Sequence, residues 1–214
     1  MKKTLALLFF LIVVIAEFYA ILTQNVTVEF IAKPLITVSL AVLYLVSVSK
    51  PNFWYVSALF FSFWGDSLLM FKDQYFVFGL GSFLLAHILY ISLVSKYLDK
   101  VSISKILTHS IPFVGFLVFL IWLIYPSLNE LLIPVIIYGI AISVFGVVSF
   151  LIYTQNKSTE NLWLFLGALI FISSDSVLAI NKFCESKEVY GIIIMATYIL
   201  AQFLICNSVI AKTK

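Results

Sequence analysis

Eight runs of roughly 20 residues, almost wholly apolar, follow one another along this chain, and each is long enough to cross about 30 Å of hydrocarbon at about 1.5 Å per residue. Inside a bilayer the backbone must satisfy its own hydrogen bonds, so runs of this length are expected to be helices. The predicted spans are 4–22, 34–49, 53–71, 75–95, 106–125, 131–153, 161–181 and 189–211. A chain 63% hydrophobic and 11% charged, with a mean hydropathy of +1.15, is far from the soluble norm of about a quarter charged residues. The expected fold is all-α: a polytopic membrane protein with eight transmembrane helices in a single integral membrane domain, 1–214. Lys2 and Lys3 ahead of the apolar stretch Leu5 to Ala16 imitate a signal peptide. The following Glu17-Phe18-Tyr19-Ala20 lacks a small-x-small cleavage pattern, so this stretch is read as the first span.

An even number of spans puts both termini on one side. That side collects Lys2, Lys3, Lys50, Lys96, Lys100, Lys105, Lys157, Lys212 and Lys214, against Lys33, Lys72, Lys182 and Lys187 on the other, so both termini are expected in the cytoplasm. Pro34, Pro112 and Pro134 fall in the first few residues of their predicted spans, where a missing N–H costs least. Trp54, Trp122, Tyr75 and Tyr97 read as interfacial anchors.

Two carboxylates stand inside this apolar sequence. Asp66 lies in Phe60-Phe61-Ser62-Phe63-Trp64-Gly65-Asp66-Ser67-Leu68-Leu69-Met70, and Asp175 in Ile170-Phe171-Ile172-Ser173-Ser174-Asp175-Ser176-Val177-Leu178-Ala179. Ionisable groups at membrane depth face a protein interior or a wet cavity and mark functional sites. Both spans run outward, and both aspartates lie about three quarters of the way along, so they are expected level with each other. Glu17 and Lys33 reach the same layer, and His87 and Gln202 lie deeper, together describing a polar cavity open to the outer face. The bland reading makes each aspartate a helix bridge through hydroxyls such as Ser67, Ser174 or Ser176. The functional reading makes them a pair: two close carboxylates resist joint ionisation, leaving one a proton donor and the other a base or cation stabiliser. That division suits cleavage of an ether or acetal through an oxocarbenium-like state.

The remaining polar groups are open to two readings. Lys33 either snorkels to the interface or holds an aspartate ionised or receives a lipid phosphate. Glu17 faces headgroups or, in the preferred reading, the cavity. His87 is read first as a hydrogen-bonded core histidine, since His109 near the cytoplasmic boundary cannot complete a metal site with it; no metal is expected. All 13 basic residues are Lys, and a net charge of +3 gives no reason to expect nucleic acid. Cys184 and Cys206 form no metal or disulfide pattern. Nucleophile elbows, phosphate loops and dinucleotide motifs are missing from the sequence. Aligning Asp66 on Asp175 pairs Ser67 with Ser176 and Leu69 with Leu178, and Leu85-Ala86-His87 is similar to Leu200-Ala201-Gln202. Two four-helix halves in parallel repeat would account for this, as would chance likeness between apolar helices.

Gly65-Asp66-Ser67-Leu68-Leu69, then Gly79-Leu80-Gly81-Ser82-Phe83-Leu84-Leu85-Ala86-His87-Ile88-Leu89-Tyr90, then Ser174-Asp175-Ser176-Val177-Leu178-Ala179, then Tyr198-Ile199-Leu200-Ala201-Gln202 resemble the lysoplasmalogenase (YhhN-like) family of integral membrane proteins. Lys33-Pro34-Leu35 is similar to the family's early Lys-Pro element. The likeness is weakest in span one and in spans five and six, and so does not reach Glu17. It implies an eight-helix enzyme of the cell (inner) membrane that hydrolyses the vinyl ether of lysoplasmalogens to a fatty aldehyde and a glycerophosphoethanolamine or glycerophosphocholine, without a cofactor. Its partners would be a lysophospholipid substrate and membrane lipids. Asp66 and Asp175 would be catalytic, Lys33 would bind phosphate or tune them, and His87, Tyr90, Tyr198 and Gln202 would orient water and line the cavity. Two rivals stand beside this reading: a proton-coupled transporter or lipid-binding protein using the same carboxylates, and a hydrolase of other lysophospholipids.

Overall fold

The computed structural model describes residues 1–71 and 74–213; of the lysines counted for orientation, Lys72 and Lys214 lie outside the described residues. Eight α-helices follow in order among them: α1 (Lys2–Thr23), α2 (Val26–Leu45), α3 (Phe53–Leu69), α4 (Phe76–Val94), α5 (Ile103–Leu128), α6 (Leu132–Gln155), α7 (Thr159–Phe183) and α8 (Glu188–Thr213). Among the described residues, six helical segments are long and apolar enough to cross a membrane, one of them the 53-residue stretch Ile103–Gln155 that contains α5 and α6. The chain is a multi-pass membrane protein.

Most helix ends fall within a few residues of the sequence expectation, and the exceptions have a local cause. α2 begins at Val26 instead of 34, because Asn25 caps it: its side-chain oxygen accepts from Val28 N at 3.2 Å, and Gln24 turns the chain with φ 53°. A polar first turn can be helical without being apolar, and a search for apolar runs cannot see it. Pro34 therefore sits inside α2, and Pro112 inside α5, which starts at Ile103 behind its own Ser102 cap; neither is at a helix start as expected. Asn52 and Ser158 cap α3 and α7 in the same way.

Lipid is as apolar as leucine, so helix association relies on close backbone approach and polar stitches. α1 packs on α2, α3 on α4, and α7 on α8; α2 also meets α3 and α8, while α6 lies among α4, α5 and α7. Gly167 lets α7 and α8 touch: a Cβ there would stand 2.8 Å from Ile205 Cγ1 and 3.1 Å from the Ala201 carbonyl oxygen. Ser174 Oγ on α7 donates to the Ile194 carbonyl of α8 at 2.9 Å, and Ser82 Oγ on α4 to the Phe61 carbonyl of α3 at 2.7 Å. The core that results is rich in aromatics, with Tyr44, Tyr55, Tyr90, Phe145 and Phe171 all fully buried. At one end of the bundle, Lys96 lies over Trp54 at 5.5 Å and Lys212 over Tyr97 at 4.7 Å.

Candidate active site

α3 carries Asp66 on its buried face, and α8 lays Tyr198 and Gln202 against it. The Tyr198 hydroxyl donates to Asp66 Oδ2 at 2.8 Å. Gln202 fixes the direction of that bond. Its Nε2 donates to Tyr198 Oη at 3.4 Å and to Ser62 Oγ at 3.3 Å, while its Oε1 accepts from the Tyr90 hydroxyl at 2.8 Å. Tyr198 thus receives from Gln202 and passes its own proton towards the carboxylate. Asp66 is 4% exposed and Gln202 not at all, so this cluster is closed, where the sequence had suggested an open polar cavity. Gly65 makes room beside it: the Phe83 ring lies 2.5 Å from where a Cβ would be, filling the space next to Asp66.

Asp175 has a different setting. It is half-buried on α7, its Oδ2 accepts a hydrogen bond from the Tyr138 hydroxyl of α6, and together they line a crevice between α5, α6 and α7. Among the described residues the two carboxylates share no hydrogen bond; each takes its own tyrosine. They are nonetheless within electrostatic reach of one another, and Asp66 also of Lys33 and Glu17.

His87 stands between the two pairs. Its Nδ1 lies 2.9 Å from the Phe83 carbonyl, an acceptor only, so Nδ1 carries a proton. Its Nε2 has no partner among the described residues although the ring is fully buried. The ring packs on Phe171 at 4.7 Å, Tyr138 at 5.5 Å and Tyr90 at 6.2 Å. Phe171 also meets Tyr198 at 5.5 Å, so one aromatic layer touches both aspartate-tyrosine pairs.

Glu17 is fully buried on α1 with neither carboxylate oxygen partnered among the described residues. Lys33 pairs with Glu29 one turn earlier on α2, Nζ to Oε1 at 2.9 Å, and among the described residues it makes no ion pair with an aspartate. Tyr138, Ser62 and Glu29 were not anticipated. The signal for Tyr138 was a hydroxyl inside an otherwise apolar span, which must find an acceptor when buried. Among the described residues no three His, Cys, Asp or Glu side chains gather closely enough to hold a metal ion.

The comparisons with known proteins agree with one another. Lysoplasmalogenases of Mycobacterium bovis and Mycobacterium tuberculosis are each 31% identical over 137 residues, 61% of this chain and 49% of theirs. Bovine lysoplasmalogenase TMEM86A is 28% identical over 155 residues, 68% of this chain and 60% of that protein. The chain therefore spans about half to three fifths of the length of these curated relatives. No solved structure matches it. The sequence profile of the YhhN family matches residues 28–209, a stretch that holds both aspartates and both of their tyrosines, and the chain belongs to that family.

Proposed function

We propose that this protein is a membrane hydrolase that cleaves the vinyl ether bond of lysoplasmalogens, releasing a fatty aldehyde and a glycerophosphoethanolamine or glycerophosphocholine. It would cross the cell (inner) membrane eight times, in two four-helix halves related by a parallel repeat, with both termini cytoplasmic. The relatives' names support the reaction. The observation that carries it in this chain is the pair of membrane-depth carboxyl groups, each oriented by a tyrosine hydroxyl, on either side of one aromatic layer.

Vinyl ether hydrolysis needs little more. A carboxyl proton passes to the alkenyl carbon remote from oxygen, and the C=C pair forms the new C–H bond, leaving an oxocarbenium ion. The second carboxylate stabilises that cation from across the aromatic layer, and the proton released when water captures the cation passes to it. The hemiacetal then collapses to aldehyde and the glycerol hydroxyl, and the proton gained by one aspartate replaces the one given by the other. Tyr198 and Tyr138 hold the carboxyl groups in register. His87, Tyr90 and Gln202 orient water and substrate, Lys33 receives the lipid phosphate or tunes Asp66, and Glu17 backs the same layer.

The test is aldehyde release by purified, detergent-solubilised protein from a lysoplasmalogen and from its saturated ether analogue, with Asp66→Asn and Asp175→Asn alongside. Both amides can still accept from their tyrosines, so both variants should fold. Aldehyde from the vinyl ether alone, lost in each variant, is the expected result. Near-normal turnover in both variants, or no aldehyde from folded wild-type protein, refutes the reading; the latter favours a proton carrier.

A further inference from the structure

α5 buries only Phe113, Ile124 and Leu128 of its 26 residues, so the cleft between α5 and α7 faces lipid. A cavity of about 380 Å³ occupies it, walled by Pro112, Phe113 and Phe116 of α5, Phe150 of α6, and Phe165, Leu169 and Ile172 of α7. That volume is within the range of small-molecule pockets. Its far end is closed by rings: Phe150 stacks on Phe165 at 4.8 Å and meets Phe113 at 6.4 Å. Ser173, the one hydroxyl on the wall, is satisfied by the Leu169 carbonyl of its own helix. At its other end the cavity shares Phe116 and Ile172 with the crevice that holds Asp175 and Tyr138.

The resulting groove is apolar along its length and acidic at one point. We propose that it binds the single hydrocarbon chain of the lysolipid, taken sideways from the bilayer between α5 and α7, with the vinyl ether at Asp175 and Tyr138. The proposal rests on the functional reading above and adds to it the route, the chain site and the carboxyl group that the substrate meets. Depth supports one occupant. Phe165 and Asp175 are ten residues apart on α7, about 15 Å, which is one leaflet's share of about 30 Å of hydrocarbon. A lysolipid whose chain ends at Phe165 therefore has its glycerol beyond Asp175, towards Ala179, and belongs to the leaflet at the C-terminal end of α7.

The test uses full-length protein in nanodiscs and a saturated ether-linked lysophosphoethanolamine bearing a photoactivatable diazirine at the chain terminus, a probe that cannot be cleaved. Mass-spectrometric mapping should place the label on 112–116 and 165–169, and Leu169→Trp should lower it there at least tenfold. Label spread evenly over outward apolar positions such as Ile111 and Val118, or unaffected by Leu169→Trp, overturns the proposal. Neither result depends on turnover, so absence of aldehyde from a lysoplasmalogen would defeat the functional reading separately. Where wild-type protein does release aldehyde, Leu169→Trp should shift the ratio of short-chain to long-chain turnover at least tenfold towards short chains, while Val118→Trp matches wild type. A Leu169→Trp enzyme with the wild-type ratio overturns the chain site.

Discussion

Replacing Tyr198 by Phe removes the hydroxyl that links Asp66 to Gln202. The ring stays where it is, because its edge contacts with Phe83 at 6.0 Å and Phe171 at 5.5 Å do not involve the hydroxyl. Gln202 keeps its other partners, Tyr90 and Ser62, so the network on α8 survives. What disappears is the O–H donated to Asp66 Oδ2 at 2.8 Å, together with the longer bond at 3.4 Å that Tyr198 Oη accepts from Gln202 Nε2. If Asp66 is the ionised partner, this bond contributes about 1.5–3 kcal/mol, and its removal leaves the acceptor buried without that donor. Expressed through the barrier of the reaction, the same energy is about a 10- to 100-fold loss of kcat/KM. The assay is initial-rate aldehyde release from a lysoplasmalogen, with thermal unfolding in detergent as a check on the fold. Tyr198→Phe should lose turnover in that range while its Tm falls by only a few degrees. Turnover within twofold of wild type, in a protein where Asp66→Asn is inactive, would show that the tyrosine does not tune that carboxyl group and would refute the argument.

Other outcomes follow from the same geometry. Gly167→Leu must push Ile205 and the Ala201 backbone away, and should cost about 1–3 kcal/mol in unfolding experiments, whereas Gly115→Ala has nothing within 4 Å of its new methyl group and should leave Tm unchanged or higher. Lys33→Met should raise KM for a phosphate-bearing lysolipid about fivefold, the effect of about 1 kcal/mol, with little change in Tm because its partly exposed pair with Glu29 contributes little; an unchanged KM removes Lys33 from headgroup binding. Cys184 is exposed at the C-terminal end of α7 and Cys206 is buried, so a membrane-impermeant maleimide should label intact cells at Cys184 alone if the termini are cytoplasmic. Labelling only after the cells are opened would invert the topology.

Asp66 and Asp175 were legible because a carboxylate in a membrane-length apolar run has few explanations. Tyr198, Gln202 and Tyr90 were legible through motif order, and the structure brings them into one hydrogen-bonded cluster with Asp66. Tyr138 was not, because by pattern alone a tyrosine among Ile and Val is one more apolar position; only the neighbour across the helix interface reveals what its hydroxyl is for. The partner of Lys33 was hidden for a related reason. Glu29 lies in the capped, polar first turns of α2, outside the stretch that hydrophobicity marks as a span.

Matching sequence contexts gave the two aspartates unlike surroundings, and the reason lies in the helices that cover them. α8 reaches Asp66 with two long polar side chains, and the gap beside Gly65 is filled by Phe83, so that carboxyl group is sealed from the bilayer and communicates through Tyr198, Gln202 and Tyr90. α7 meets α5 with a helix that buries few of its residues, and Asp175 is left at the edge of a lipid-facing crevice with Tyr138 as its polar companion there. On the proposed route from the bilayer, a lysolipid meets Asp175 first. In the proposed reaction the sealed carboxyl group acts across the layer of His87 and Phe171, which touches both tyrosines, and His87 Nε2 is the buried polar atom in that layer without a partner among the described residues.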